Sequence, residues 1–248
     1  MEKSKIIDNC KQLLNAYENG ELWYMKMPED SKPKVFDSFE EKLVYFTLPM
    51  SINYRRDSYK LWEWSLKTYN DKDCHNIFDI KFSANIDTDS LRNYLLKYKL
   101  ALQPNMHINI WYTISKTVYK NWWTMENLLS ASCYDFLNLK KIIQKEYKKW
   151  FPYLSWPKMF DYWCYTLNMY CDAKLKNSKY IDIAPDTHIR KCSVKLWIIW
   201  ESEVYEIKAE ELSKKWRNIL KQTNINPIDM HSPLWFWSRN GFEYELSD

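Results

Sequence analysis

Apolar residues recur along much of this chain at intervals of three and four, the spacing of one helix face. Ile6, Ile7, Leu13 and Leu14 place a short helix in Met1–Asn15, and Glu18–Asp37, with Pro28 and Pro33, reads as a loop. Ser38 followed by Glu41 is a capping box. Leu43, Val44, Phe46 and Leu48 continue that helix as a buried face until Pro49 ends or kinks it. A polar corner, Ser51–Asp57, leads to a helix over Ser58–Tyr69 with Leu61, Trp62, Leu66 and Tyr69 inward. Asp71–Asp87 reads as loop, and Asp87 or Asp89 caps a helix over Ser90–Leu102 that Pro104 breaks. Helices follow at Ile108–Tyr119 and Thr124–Ser132, with Trp122-Trp123 between them.

Tyr134–Lys149 is strongly amphipathic. Phe136, Leu137, Leu139, Ile142, Ile143 and Tyr147 form its apolar side, and Lys140, Lys141, Lys145, Lys148 and Lys149 its wet side. That lysine stripe is either a solvated face or a phosphate-facing one. A tight turn and an apolar helix over Met159–Tyr170 come next, then a polar connection, Lys174–Asp182. Asp186 caps a helix with Ile189, Cys192, Val194 and Leu196 inward. Ile198–Tyr205 is expected to hold a brief extended piece. Ala209–Lys221 is helical, Asn226-Pro227 starts a loop, and Ser232–Ser238 is a final aromatic helical turn. The pattern predicts an all-α protein.

Composition adds one anomaly. At an average of about 7% glycine, roughly 17 would be expected among 248 residues; there are 2, beside 14 tryptophans. Helical proteins use glycine where the backbone turns left-handed, at helix ends and tight turns. Some bacterial lineages read the UGA codon as glycine where a common translation table reads it as tryptophan. Several tryptophans, notably Trp156 and Trp197, are therefore expected to stand for glycine, and Trp237 is a further candidate; real tryptophans of a low-GC genome are the other reading. The net charge of +4 is compatible with a polyanionic partner without demanding one. Six cysteines without C-x-x-C pairing read as free thiols, so no metal cluster is expected. No apolar run approaches the roughly 18 residues of a membrane span, and Met1–Cys10 is too polar for a signal peptide. A cytoplasmic, nucleoid-associated monomer that needs no cofactor is expected.

Two runs carry candidate chemistry: Phe151-Pro152-Tyr153-Leu154-Ser155-Trp156-Pro157-Lys158, and Ile183-Ala184-Pro185-Asp186-Thr187-His188-Ile189. The first places a turn before a helix, where backbone amides and the helix dipole suit an anion, and sets Lys158 just inside that helix. A neutral lysine amine is a nucleophile able to form a Schiff base. Its apolar flanks predict desolvation of that amine; a plain surface lysine is the alternative. Asp186 is first of all an N-cap, and a fixed ionised carboxylate also suits stabilising a cation that forms beside it.

These runs resemble the helix-hairpin-helix DNA glycosylase superfamily, whose members carry a hairpin of the form L-P-G-V-G-x-K and then an aspartate in a V-D-x-H run. The resemblance covers Phe151–Ile199, and extends upstream as helix order only to about Phe39. Tyr153 and Trp156 stand where the family has hairpin glycines, and Trp197 where it often has glycine in a K-L-G run. The 28-residue gap from Lys158 to Asp186 is nearer to the archaeal 8-oxoguanine glycosylases, and the cluster cysteines of the endonuclease III branch are missing.

The resemblance implies a bifunctional DNA glycosylase and abasic-site lyase of base excision repair, acting on double-stranded DNA that holds a damaged base or abasic site. An oxidised purine is the implied lesion. Lys158 would attack the sugar C1′ of a flipped-out nucleotide and Asp186 would stabilise the cationic sugar. Leu154, Ser155 and Trp156 would offer backbone amides to phosphate, and His188 would contact phosphate near the lesion. Asn53 would fill the gap left by the flipped base, with Arg55 and Arg56 on the opposite strand; loop solvation is the alternative for these three. Trp235 and Phe236 would wall the base pocket, core packing being equally compatible. The implied architecture is two helical lobes with an interlobe cleft, one of residues 39–175 and one of 1–38 with 176–248. A non-catalytic nucleic-acid-binding module and a helical protein unrelated to nucleic acid are the competing readings.

Overall fold

A computed structural model describes Glu2–Ser247; Met1, the first residue of the expected N-terminal helix, lies outside the described residues. The α-helices run in the order α1 Lys3–Glu18, α2 Phe39–Ser51, α3 Ser58–Asn70, α4 Ile80–Asn85, α5 Thr88–Lys97, α6 Pro104–Trp122, α7 Met125–Ala131, α8 Phe136–Lys141, α9 Pro157–Cys171, α10 Thr187–Lys195, α11 Ala209–Leu220 and α12 His231–Arg239. No β-strand occurs among the described residues; an isolated parallel bridge pairs Asp135 with Lys176. The protein is all-helical. No helix among the described residues is long and apolar enough to cross a membrane.

Local chemistry sets most helix starts. The Ser38 hydroxyl accepts from the Glu41 amide at 3.0 Å while the Glu41 carboxylate takes the Asp37 amide at 2.7 Å, the reciprocal cap expected there. Asp57, Asp79, Asp87, Thr124, Asp135 and Asp186 cap α3, α4, α5, α7, α8 and α10 one way, each side-chain oxygen accepting from a first-turn amide. Pro104 does not merely end the preceding helix. It occupies the first turn of α6, where its missing N–H costs nothing, so α6 begins before Ile108.

The chain divides into two compact units. Residues Lys26–Asn177 form one of them. In it α2 packs on α3, α6, α7 and α9, and α4 lies along α6. Its core is aromatic: Tyr45, Phe46, Trp62, Tyr69 and Phe78 meet largely edge-on or tilted, with centroids 5.2–5.7 Å apart. Each buried indole finds an acceptor. Trp62 donates to Glu29 at 3.1 Å, Trp111 to Ser83 at 3.3 Å and Trp163 to Thr47 at 3.0 Å. Burying an aromatic side chain of roughly 150–250 Å² contributes about 4–6 kcal/mol before chain entropy is charged against it.

Residues Met1–Met25 and Ser178–Asp248 form the other unit. There α1 packs on α11 and α12, and α10 on α12, around Cys10, Leu13, Cys192, Leu212, Trp216, Met230, Leu234 and Phe236. Trp216 donates to Ser193 at 2.9 Å, and Arg217 clasps Asp182, its Nε donating at 2.8 Å.

Four expectations need correction. The amphipathic stretch 134–149 is not one helix. It is α8, then a π-helical turn over Ile142–Glu146 closed by Tyr147 N–H to Ile142 C=O at 2.8 Å, then a 3-10 turn over Lys148–Trp150. Leu137, upstream of that turn, is exposed because it lies off the face that Phe136, Leu139 and Ile143 bury. Asp71–Asp87 is no open loop: Asp79 caps α4 there, and Ile80 and Ala84 bury beneath it. Ile198–Tyr205 is not extended; the Glu203 carboxylate accepts from the Trp200 amide at 2.7 Å and closes a 3-10 turn over Glu201–Glu203. Finally, Leu66 and Val194 are half-buried, the inward positions beside them being held by Ser65, Thr68 and Ser193.

Candidate functional site

Phe151 and Leu154 are fully buried and pin the turn before α9 at both ends. Between them Tyr153 takes the left-handed region, φ 64°, the conformation for which glycine is preferred. Contacts compensate. The Tyr153 hydroxyl donates to the Asn53 carbonyl at 2.7 Å, and its ring meets Tyr54 at 5.3 Å and Trp156 at 5.0 Å. Tyr54 in turn meets Trp156 edge-on at 5.8 Å and carries the Arg55 guanidinium over its face at 5.0 Å. The turn and the Asn53–Arg55 corner, 100 residues apart in sequence, are therefore one surface.

The turn amides are not disposed as expected. Leu154 N–H donates to Pro152 C=O, Ser155 N–H to Phe151 C=O and Trp156 N–H to Tyr153 C=O, so these three serve the turn itself. The Ser155 hydroxyl is also spoken for, by the Lys148 carbonyl at 3.1 Å. Trp156 is the N-cap of α9, with extended angles (φ −70°, ψ 138°), and no side chain caps the helix. Pro157 is its first residue and Lys158 its second, so an anion here would be met by the helix start. Lys158 is exposed; the expected burial of its amine is not present.

Of the corner residues, Asn53 and Arg55 stay beside the turn and Arg56 does not. Asn53 exchanges hydrogen bonds with the Ser58 hydroxyl at 3.1 and 3.3 Å, and Arg55 is exposed. Arg56 turns away. It donates to the carbonyls of Leu100 at 2.7 Å and Lys99 at 3.5 Å and lies over the Trp64 ring, and burial pulls its guanidinium down to about 10. It braces the α5–α6 connection.

The second run lies in the other unit. The Asp186 carboxylate accepts from Ile189 N–H at 2.9 Å and is half-buried, as a cap should be. His188 sets Nδ1 3.2 Å from the Ser238 hydroxyl and its ring 5.1 Å from Trp235; burial lowers its pKa, against the pull of Asp186. The Arg239 guanidinium covers Trp235 at 5.0 Å. Asp186, His188, Trp235, Ser238 and Arg239 are thus one cluster at the facing ends of α10 and α12. Phe236 is not part of it: 1% exposed, it stacks on Tyr17 in the core.

One buried group was not anticipated. Glu29, in a 3-10 turn over Pro28–Asp30, is 1% exposed. Its Oε1 accepts from Trp62 Nε1 at 3.1 Å and from the Tyr162 hydroxyl at 3.0 Å, and its Oε2 has no partner. Burial pushes this carboxyl up to about 7, the hydrogen bonds opposing it. Met-Pro-Glu-Asp looks like ordinary loop in a sequence; the signal was the proline, which starts the turn that carries Glu29 inward. No group of His, Cys, Asp and Glu among the described residues is arranged to hold a metal ion.

No protein-family profile, curated protein or solved structure matches the chain.

Proposed function

We propose that the protein is a helix-hairpin-helix DNA glycosylase with abasic-site lyase activity, Lys158 being the nucleophile and Asp186 the carboxylate that stabilises the sugar cation. The observation that carries this reading is the hydrogen bond from Tyr153 to Asn53. It joins the turn that introduces the Lys158 helix to a corner bearing Asn53 and the exposed Arg55. A protein that holds a DNA strand at a helix start and reaches into the duplex beside it needs those two parts together. The cap geometry of Asp186 supports the second half, since a carboxylate fixed by its own helix is already oriented for charge that develops next to it.

In this mechanism the Lys158 amine, having given up its proton, attacks C1′ of the extruded nucleotide as the glycosidic bond breaks, and the base leaves with the electron pair and takes up a proton. Opening of the sugar ring from the resulting aminal gives the Schiff base. Removal of a C2′ proton then expels the 3′ phosphate and nicks the strand. An oxidised purine is the proposed lesion.

Borohydride trapping tests the reading. Protein with glycine at positions 156 and 197 is mixed with duplex holding one 8-oxoguanine or one abasic site, in parallel with Lys158→Ala. A covalent adduct absent from the variant is the expected result. DNA binding without any adduct would replace the proposal by a non-catalytic binding module, in which Lys158 is only a cation.

A further inference from the structure

We propose that the groove along α6 binds a short single-stranded stretch of nucleic acid beside the site. This rests on the nucleic-acid reading above. The groove encloses about 530 Å³. Tyr112, Lys116, Lys120 and Asn121 form its floor at successive turns of α6, and Tyr147 and Trp150 its wall. Lys116 donates to the Tyr112 hydroxyl at 3.0 Å and lies 5.0 Å from its ring, so a cation and an aromatic face are presented as a pair. No carboxylate lines the groove among the described residues, and the neighbouring Glu146 is paired with Lys141 at 3.1 Å.

Aromatic faces for stacking and cations for phosphate are what an unpaired strand requires, whereas duplex offers no free base face. Two further features point the same way. The wall begins where the π-helical turn over Ile142–Glu146 ends, and such turns recur at functional sites. Trp122, the last residue of α6, meets Tyr147 at 4.8 Å and Phe151 at 6.4 Å, which links the groove to the turn before α9 within one unit.

The test compares Lys116→Gln/Lys120→Gln with the unmodified protein on a blunt duplex and on the same duplex with a single-stranded tail. Both lysines lie on the solvent side of α6, so the variant is expected to fold. On tailed DNA the slope of log affinity against log salt should become shallower by about 1.4, roughly 0.7 for each phosphate no longer neutralised. On blunt DNA it should not change. Tyr112→Ala should weaken the tailed complex by roughly ten-fold. Equal slope changes on both DNAs, or none on either, overturn the groove. Borohydride trapping on the same samples separates the two claims. An adduct with unaltered slopes removes the groove and leaves the glycosylase; altered slopes without an adduct do the reverse.

A different observation carries a second inference: residues 23, 123 and 197 are glycine in the protein the host makes. Trp23, Trp123 and Trp197 have φ of 53°, 72° and 59° and are 61%, 64% and 59% exposed. Trp123 follows α6, donating back to Val118 and Tyr119. Trp197 follows α10 in the double closure of a helix end, Trp197 N–H to Val194 C=O at 2.9 Å and Ile198 N–H to Ser193 C=O at 2.8 Å, where glycine is the usual residue. The two glycines as written, Gly20 and Gly241, also have left-handed φ. Trp62, Trp111, Trp163, Trp216 and Trp237 are the opposite population. All are buried with Nε1 hydrogen-bonded, and none has positive φ. Position 156 has ordinary extended angles and is not assigned by this argument.

Peptide mass spectrometry of protein from the native host should find glycine at 23, 123 and 197 and tryptophan at 62, 111, 163, 216 and 237. Tryptophan at 123 and 197 overturns the inference. In recombinant protein Trp123→Gly and Trp197→Gly should each raise Tm by about 2–4 °C through relief of left-handed strain; a lower Tm for both would remove its physical basis.

Discussion

Glu29 shows how much one side chain can impose on this molecule. In the unfolded chain its carboxyl ionises near 4.5, in the folded one near 7. Between those values the unfolded state releases a proton that the folded state keeps, so stability falls as pH rises through that window and then levels. The span corresponds to about 3 kcal/mol. Glu29→Gln retains the acceptor for Trp62 and Tyr162 and cannot ionise. Urea unfolding at pH 5 and pH 8 should show the parent losing stability between the two and the variant holding nearly level. A parent equally stable at both would mean that Glu29 is solvated. Tyr153 is the complementary case, an L-residue held at positive φ by contacts made 100 residues away.

At the scale of an element, the start of α10 allows cap and charge to be told apart. Asp186→Asn keeps a good N-cap, so Tm should barely move. If the proposed chemistry is right, base excision should fall by roughly 10²–10³, the cost typical of losing one charge-stabilising group. Asp186→Ala should cost about 1 kcal/mol in addition. An Asn variant with full excision activity would reduce Asp186 to a structural cap. This element was legible in the sequence because a cap is a local event: Pro185, Asp186 and the apolar run after it are close neighbours along the chain. The same holds for Ser38 with Glu41. The π-helical turn at Ile142–Glu146 was not legible, since the stretch keeps good helical spacing on both sides and the added residue shows only in three dimensions. Ile198-Ile199 misled for a related reason. Two β-branched residues suggest strand, but the closure at Trp197 and the Glu203 carboxylate bend the chain before an extended piece can form.

For the whole molecule, the all-helical class followed from periodicity and from the scarcity of strand-like alternation. What periodicity does not carry is which distant residues meet. The sequence offers Arg56 as a contact to the opposite strand or as a solvated corner residue; its carbonyl partners are 43 and 44 positions away. For Phe236 the sequence leaves pocket wall and core packing equally open, and Tyr17 from α1 settles it for the core. Glu29 was missed because its two donors come from α3 and α9. Each partner lies beyond the reach of a helical period.

The division of the chain also has a consequence for its synthesis. One unit is a single continuous segment, Lys26–Asn177, while the other is split between the two ends of the chain. During synthesis α1 is made before α10, α11 and α12, which complete its unit, with residues 26–177 made in between. At roughly 5–20 residues per second the interval is about 8–30 s. Through that interval the apolar face of α1, Ile6, Cys10 and Leu13, has none of its eventual neighbours from the C-terminal segment. The nascent chain therefore carries a sticky helix until α10, α11 and α12 have been made, and chaperone capture at α1 is the expected consequence.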